Sequence, residues 1–280
     1  MYTLKKGDVT LEVNLNLLEI RSLKIKDVEM CYQQDGAWKK NWPFLFPVVG
    51  RLKEDKITYE NKDYKMPRHG FFRDIKNFAV EYESDGIVTF SAKSNGAFKD
   101  VYPFEFEVKN QIEINGNEVI LSYEVINLEE EKEMIFTMGH HPAFISKKSG
   151  VITFEKEEQF TKKADASGLF PIKPTYEEKI KQVKISDLSF DNGDCYFTQD
   201  LNSSWVTYED DERKLKMSLE DYDVFLLWSA SNDEDFICLE PWLGIADPYD
   251  KKNTNFEEKP RMIKIKSNDS YTCELKLELN

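Results

Sequence analysis

The chain has 280 residues and a formal net charge of −14, and 40% of its residues are hydrophobic. We expect a single domain over residues 1–280, because this length and apolar content suffice for one large core. The negative charge argues against nucleic acid or an anionic membrane as the main partner, since both repel an acidic protein. The same charge is also what solubility alone would favour.

The sequence indicates neither a membrane-spanning segment nor a cysteine-based redox motif. No stretch approaches the roughly 18 consecutive apolar residues of a membrane span. The N-terminal residues Met1–Asp8 lack the apolar segment of a secretory signal, so we expect a cytoplasmic protein. The four cysteines form no C-x-x-C pair, which predicts free thiols rather than a zinc or redox motif; they are Cys31, Cys195, Cys238 and Cys273.

Strand patterns run from the first ten residues to the last ten. Apolar and polar residues alternate in the segments 9–15, 104–109, 112–123 and 271–279. Within 112–123, the dipeptide Asn115-Gly116 predicts the turn of a hairpin. The segment 178–188 is compatible with a short helix or a strand. We therefore predict an all-β fold of large antiparallel sheets packed face to face.

Two of the three histidines are adjacent, in Gly139-His140-His141-Pro142. Pro142 favours extended geometry at His141, and successive side chains of an extended chain point to opposite faces. Only one of the two can then reach a given pocket, so a metal site that uses both is not expected. A proton carrier aimed into a pocket and a histidine hydrogen-bonded within a β core are both compatible with this pattern.

The third histidine begins the motif His69-Gly70-Phe71-Phe72-Arg73. Gly70 permits a turn or a close approach to a ligand, and Phe71 and Phe72 offer an apolar wall for the carbon face of a sugar. A structural histidine beside core aromatics is the alternative.

Glu240 lies between Leu239 and Pro241-Trp242, after an apolar run. A carboxylate in such surroundings is either paired or has a raised pKa, and both conditions suit a general base. An exposed Glu at a strand end would give the same pattern.

Arginine is rare in this chain, yet Arg51, Arg68 and Arg73 fall within one short stretch around His69. Arginine is favoured where a planar fork meets a carboxylate, a phosphate or vicinal hydroxyls. Ordinary surface ion pairs are the alternative.

Taken together, these motifs resemble those of the aldose 1-epimerase (galactose mutarotase-like) family. The matching elements occur in the family's order: Gly50-Arg51, His69-Gly70-Phe71-Phe72-Arg73, Gly139-His140-His141-Pro142 and Glu240-Pro241-Trp242-x-Gly244, continued by Asp247. Ala143 stands where the family commonly has an aromatic residue. The chain resembles the bacterial branch of the family that is found near lactose operons.

The resemblance implies a β-supersandwich that interconverts the α and β anomers of a free aldohexose, an isomerase of carbohydrate metabolism. Glu240 would be the general base and His141 the general acid. The sugar-binding residues would be His69, Arg51, Arg73, Phe71, Trp242 and Asp194, with Asp191 as the alternative to Asp194. No cofactor, metal or macromolecular partner is implied, and both a monomer and a homodimer are compatible.

Two alternatives remain open. Related branches act on hexose 6-phosphates, and Arg51 and Arg73 could serve a phosphate. A non-catalytic carbohydrate-binding β-sandwich would also use aromatic residues and arginine, although it has no need of an acid and a base together.

Overall fold

The computed structural model describes residues 1–163 and 168–280. The strands of the first half are β1 (Tyr2–Lys6), β2 (Val9–Asn14), β3 (Glu19–Ile25), β4 (Val28–Glu29), β5 (Phe44–Leu45), β6 (Lys56–Tyr59), β7 (Lys62–Lys65), β8 (Ala79–Ser84), β9 (Ile87–Lys93), β10 (Phe106–Asn115) and β11 (Glu118–Asn127). Those of the second half are β12 (Met134–Phe136), β13 (Met138–His140), β14 (Ala143–Ile145), β15 (Val151–Lys163), β16 (Glu178–Lys184), β17 (Cys195–Thr198), β18 (Trp205–Glu209), β19 (Lys214–Ser218), β20 (Val224–Trp228), β21 (Phe236–Leu243), β22 (Ile263–Ile265) and β23 (Ser270–Leu279).

The helical content of the described residues is limited to short 3₁₀ turns, at Lys53–Asp55, Phe72–Asp74, Ile185–Asp187 and Asp191–Gly193. In the described part of the chain, none of the helical segments has the length and apolar character needed to cross a membrane.

Most strands belong to one antiparallel sheet of 15 strands, which follows the order β5-β13-β21-β20-β17-β15-β18-β19-β23-β11-β10-β9-β8, with β14 on β21 and β16 on β15. Strands β1 to β4 form a second sheet, and two strand pairs complete the fold. The prediction of an all-β fold with large antiparallel sheets is confirmed.

The predicted hairpin is confirmed in its register. Asn115 pairs with Glu118 across the turn, and Gly116 takes a positive φ of 61° that favours glycine. Every second residue of β11 is buried, so one face of the hairpin packs on the core and the other faces outward. The ambiguous segment 178–188 forms strand β16 followed by a 3₁₀ turn.

The core is unusually aromatic. Its largest fully buried side chains include Phe46, Phe106, Phe136 and Tyr102, and many of these rings meet edge to face. Burial of a phenylalanine side chain contributes about 2–3 kcal/mol to stability. This core supports strands β5, β13 and β21, which lie next to one another in the sheet and carry or adjoin the residues described below.

Candidate active site

A cavity of about 440 Å³ opens over strands β5, β20 and β21. Its lining includes residues from nearly every motif singled out in the sequence, among them Arg51, His69, Arg73, His141, Glu240 and Trp242. Pockets for small ligands usually measure about 300–1,000 Å³, so a pyranose is of suitable size.

Glu240 lies on β21, a strand that is buried at seven of its eight positions. Its side chain is 2% exposed, and it pairs in register with Leu226 of β20. Burial raises the pKa of the Glu240 carboxyl well above its usual range, because the charged form loses its hydration. The indole N–H of Trp242 opposes this rise without reaching hydrogen-bond geometry.

His141 follows β13 directly and is held by its backbone N–H, which donates to the carbonyl of Pro43 at 3.1 Å. The two adjacent histidines face opposite ways. His141 lines the cavity, whereas His140 is fully buried in the core and accepts a hydrogen bond from the indole of Trp42 at 3.3 Å. Burial lowers the pKa of His141 to about 3, and the nearby Lys40 cation acts in the same direction.

Glu240 and His141 form the centre of the site. Oε2 of Glu240 lies 3.5 Å from Nε2 of His141. Glu240 Oε2 and His141 Nδ1 are buried polar atoms without a hydrogen-bond partner among the described residues. Burial raises one pKa and lowers the other, so near neutral pH the pair holds one ionisable proton between two adjacent bases. Unpartnered buried polar atoms next to a cavity are typical of a site that a ligand completes.

A strained backbone sets the direction of the His69 side chain. His69 and Gly70 take φ values of 66° and 71°, in the left-handed region. A Cβ on Gly70 would lie 2.1 Å from the carbonyl oxygen of Phe46, so only glycine permits this close approach. The backbone N–H of Gly50 donates to Nδ1 of His69 at 3.1 Å. Neutral His69 therefore carries its proton on Nε2, which makes that nitrogen a donor.

Trp242 forms an apolar wall of the cavity. Its ring lies 5.7 Å from that of His69 and stacks on Phe170, with centroids 6.2 Å apart. The indole nitrogen of Trp242 is buried without a hydrogen-bond partner in the described chain. An aromatic face beside polar donors suits a sugar, which presents C–H groups and hydroxyls together.

The cavity is lined by several cations, although the chain as a whole is acidic. Asp55 holds Arg51 with two hydrogen bonds of 2.9 Å. Lys40, Arg68 and Arg73 also line the cavity, and no carboxylate of the described residues lies within ion-pair distance of these three. Burial and the neighbouring Arg73 cation lower the pKa of Lys40. Among the described residues, the lining therefore concentrates positive charge on Lys40, Arg68 and Arg73 without a direct ion pair to a carboxylate.

The structure corrects the expectation that Phe71 forms a wall for the sugar. Phe71 is buried in the core, where its ring stacks on Phe98 with centroids 4.6 Å apart. Phe72 lines the cavity instead. Because His69 and Gly70 both take positive φ, the simple alternation of faces fails at this point of the chain.

The two aspartates considered for sugar binding do not line the cavity. Asp194 lies 3.3 Å from the ammonium group of Lys162, and its Oδ1 is buried without a hydrogen-bond partner in the described chain. Asp191 is exposed and accepts a hydrogen bond from Asn232 at 2.7 Å. Their neighbours Gly193 and Cys195 line the cavity in their place.

Several lining residues were not found from the sequence, notably Trp38, Lys40, Phe170 and Trp228. Trp38 and Lys40 belong to residues 30–43, which contain no named strand and follow no hydrophobic period. The presence of a tryptophan and a lysine together in such a loop was the sequence signal that could have indicated these cavity residues.

Among the described residues, one group of three side chains could offer ligands to a metal ion: His141, Cys238 and Glu240, whose donor atoms lie within 4.8 Å of one another. Burial raises the pKa of the Cys238 thiol well above its usual range, which disfavours the thiolate that a metal requires. Cys238 also does not line the cavity. The donor set therefore suits an acid/base pair better than a metal centre.

Comparison with known proteins shows relatives in both sequence and fold. The family model for aldose 1-epimerase matches residues 2–276. Protein LacX of Lactococcus lactis subsp. lactis, in its chromosomal form, is 30% identical over 270 residues, covering 88% of each chain. A galactose mutarotase related enzyme from Lactobacillus acidophilus has a TM-score of 0.86 at 25% identity and covers 100% of this chain and 97% of its own. A galactose mutarotase-like protein from Lactobacillus casei has a TM-score of 0.89 at 22% identity, with both chains fully covered. The chain belongs to the aldose 1-epimerase family.

Proposed function

We propose that this protein is an aldose 1-epimerase that interconverts the α and β anomers of a free aldohexose. The observation that carries the proposal is the pair of Glu240 and His141, with Oε2 and Nε2 3.5 Å apart at the cavity and with Glu240 Oε2 and His141 Nδ1 lacking a hydrogen-bond partner among the described residues. Anomerisation needs a proton removed from one oxygen and added to another, both bonded to C1. An acid and a base side by side match that requirement.

The reaction begins when Glu240, as carboxylate, removes the proton from the C1 hydroxyl. His141, as imidazolium, gives a proton to the ring oxygen O5, and the C1–O5 bond breaks with its electrons moving to O5. The C1=O bond forms, and the free aldehyde rotates about C1–C2. Ring closure on the other face reverses both proton transfers and restores the pair.

The shared proton supports this cycle. Transfer of one proton over 3.5 Å converts the neutral acid and neutral imidazole into the carboxylate and imidazolium that the cycle requires. Burial favours the neutral form of each group in the empty cavity. A bound sugar contributes hydroxyl dipoles that favour the charged form.

Sugar binding is assigned to the other residues that line the cavity. Nε2–H of His69 is a donor for a sugar oxygen, and Arg51, held by Asp55, offers a planar fork to hydroxyls. Arg73 and Trp242 complete the contact surface. Asp194 is given no role, because its carboxylate lies against Lys162 rather than at the cavity.

The test is the approach of freshly dissolved α-glucose and α-galactose to anomeric equilibrium, followed by optical rotation and NMR. We expect acceleration by the protein, and we expect Glu240→Gln to lower the rate by roughly 10²–10⁴-fold with sugar binding retained. Undiminished turnover in Glu240→Gln would remove Glu240 from the mechanism. Sugar binding without acceleration of any aldose would identify a non-catalytic carbohydrate-binding sandwich instead.

A second candidate substrate, a hexose 6-phosphate, is favoured by the cation cluster at the cavity. Lys40, Arg68 and Arg73 have no carboxylate within ion-pair distance among the described residues, and their mutual repulsion is relieved by an anionic ligand.

Lys40→Ala should raise KM for a hexose 6-phosphate by about 10-fold or more, because a charge-assisted hydrogen bond is lost. KM for the free hexose should be unaffected. Lys39→Ala is the matched control, since Lys39 is exposed and does not line the cavity. Equal KM changes for both sugars would contradict a phosphate site.

A further inference from the structure

The imidazole of His141 is packed against aromatic rings. The indole of Trp38 stacks on it, with centroids 5.1 Å apart and an angle of 21° between the planes. Trp228 meets the same imidazole edge to face at 5.6 Å, and His69 meets it at 5.5 Å. One face of the His141 ring is therefore covered by a nearly parallel indole, and its edges are limited by two further rings.

Trp38 is itself held in place without using His141. Its ring stacks on Phe236, with centroids 5.6 Å apart and an angle of 22° between the planes. The preceding residues are tied to the body of the protein, because Gly36 N–H donates to the hydroxyl of Tyr32 at 2.6 Å and Ala37 N–H donates to Glu234 at 3.0 Å. The indole is thus a fixed platform rather than a loose surface side chain.

The charged groups around His141 have opposing effects on protonation of its imidazole. Lys40 from the loop and Arg68 beside His69 disfavour a protonated imidazole, as does burial, and His69 disfavours a second positive ring next to it. The Glu240 carboxylate, when ionised, favours it. A further titratable neighbour, the Cys238 thiol, stays neutral because burial raises its pKa. The electron-rich face of an indole attracts a cation placed over it, and this attraction is strongest where water is excluded.

We propose that Trp38 is a positioning residue for the proton transfer, whose indole face fixes the plane of the His141 ring towards Glu240 and stabilises its protonated form. The inference rests on the proposed acid/base function, since it assigns Trp38 an action through His141 and not through the sugar. Trp38 supplies the stabilisation that burial and the surrounding cations remove from the imidazolium.

The first measurement needs no turnover. The ¹⁵N chemical shifts of the His141 imidazole, followed from neutral pH down to the lowest pH at which the protein stays folded, report its protonated fraction directly, since its pKa is lowered to about 3. We expect Trp38→Leu to lower that fraction and Trp38→Phe to retain most of it. Trp42→Phe is the matched control, because Trp42 contacts His140 and not His141. An unchanged His141 fraction in Trp38→Leu would overturn the proposal.

The second measurement is kinetic. Trp38→Leu should lower kcat by about 10-fold with KM nearly unchanged, and should move the alkaline limb of the kcat profile to lower pH. Trp38→Phe should restore most of kcat. A rise in KM with kcat unchanged would assign Trp38 to sugar contact and refute the positioning role. If the protein accelerates no aldose, the proposed function fails, whereas the NMR titration still decides whether Trp38 acts on His141.

Discussion

Two clusters of buried ionisable side chains lie close to strand β21, and they differ in how completely their polar atoms are partnered. In the acid/base pair, Glu240 Oε2 and His141 Nδ1 have no hydrogen-bond partner among the described residues. In the second, the Asp247 cluster, Asp247 accepts the backbone N–H of Lys53 at 3.0 Å and lies 3.4 Å from the ammonium groups of Lys251 and Lys259.

The Asp247 cluster also joins the walls of the cavity. The backbone N–H of Asp247 donates to the carbonyl of Arg51 at 2.8 Å, and its own carbonyl accepts the N–H of Phe170 at 3.1 Å. Lys259 donates to the carbonyl of Ile245. A partnered cluster of charges holds the scaffold, whereas an unpartnered one beside a cavity is available for chemistry. Burial alone does not distinguish these two roles.

The largest effect is expected from the adjacent histidines. His141→Gln should lower the anomerisation rate by roughly 10²–10⁴-fold, because the proposed acid is lost. The free energy of unfolding should change little, since Nδ1 of His141 has no hydrogen-bond partner among the described residues and Nε2 lies a full 3.5 Å from Glu240 Oε2. Rates are measured by polarimetry and stability by urea unfolding.

His140→Gln is the matched control for that prediction. It removes the hydrogen bond from Trp42, so it should lower the free energy of unfolding by about 1–3 kcal/mol and leave the rate of the folded protein largely intact. Equal rate losses in the two variants would contradict the assignment of His141 as the acid.

The next effect concerns the Asp247 cluster. Asp247→Asn leaves Lys251 and Lys259 buried without an anion, and loss of one partner of a buried ion pair costs about 3–5 kcal/mol. Urea unfolding measures this loss, and Asp250→Asn at a nearby exposed position serves as the control. A stability within error of wild type would show that the cluster does not hold the scaffold.

The smallest effect is a pH dependence. Burial lowers the pKa of Lys259 from 10.5 to about 8. Between these values the unfolded chain binds more protons at this site than the native protein, so its contribution to the free energy of unfolding rises with pH. This stabilisation is complete above the pKa of Lys259 in the unfolded chain, 10.5, and absent below about pH 8. It amounts to at most about 3 kcal/mol.

Urea unfolding of wild type and Lys259→Met, compared at several pH values on either side of 8, isolates this contribution. The stability difference between the two proteins should grow in favour of wild type as pH rises. A constant difference would mean that Lys259 titrates as an ordinary exposed lysine.

Much of the fold and part of the site follow from local patterns in the sequence. The alternation of β23 and the Asn115-Gly116 turn are local, and they were predicted correctly. The divergence of His140 and His141 follows from extended geometry before Pro142. The site residues that were missed depend on contacts distant in sequence. Trp38 reaches His141 from a loop without periodicity, and nothing in the charged context of Lys259 indicates that it is buried.

The two adjacent histidines also affect how well this part of the chain tolerates the insertion of a residue. Gly139 packs against Trp242, where a Cβ would lie 2.8 Å from the indole, and Pro142 follows immediately after His141. A shift of the strand by one residue would exchange the two identical rings, so the cavity would still contain a histidine. The shift would nevertheless bring a side chain against Trp242 where only glycine has room. Gly139 and Pro142, rather than the imidazoles, therefore determine which histidine enters the cavity. Single-residue insertions here should be tolerated far less than at the Asn115-Gly116 turn.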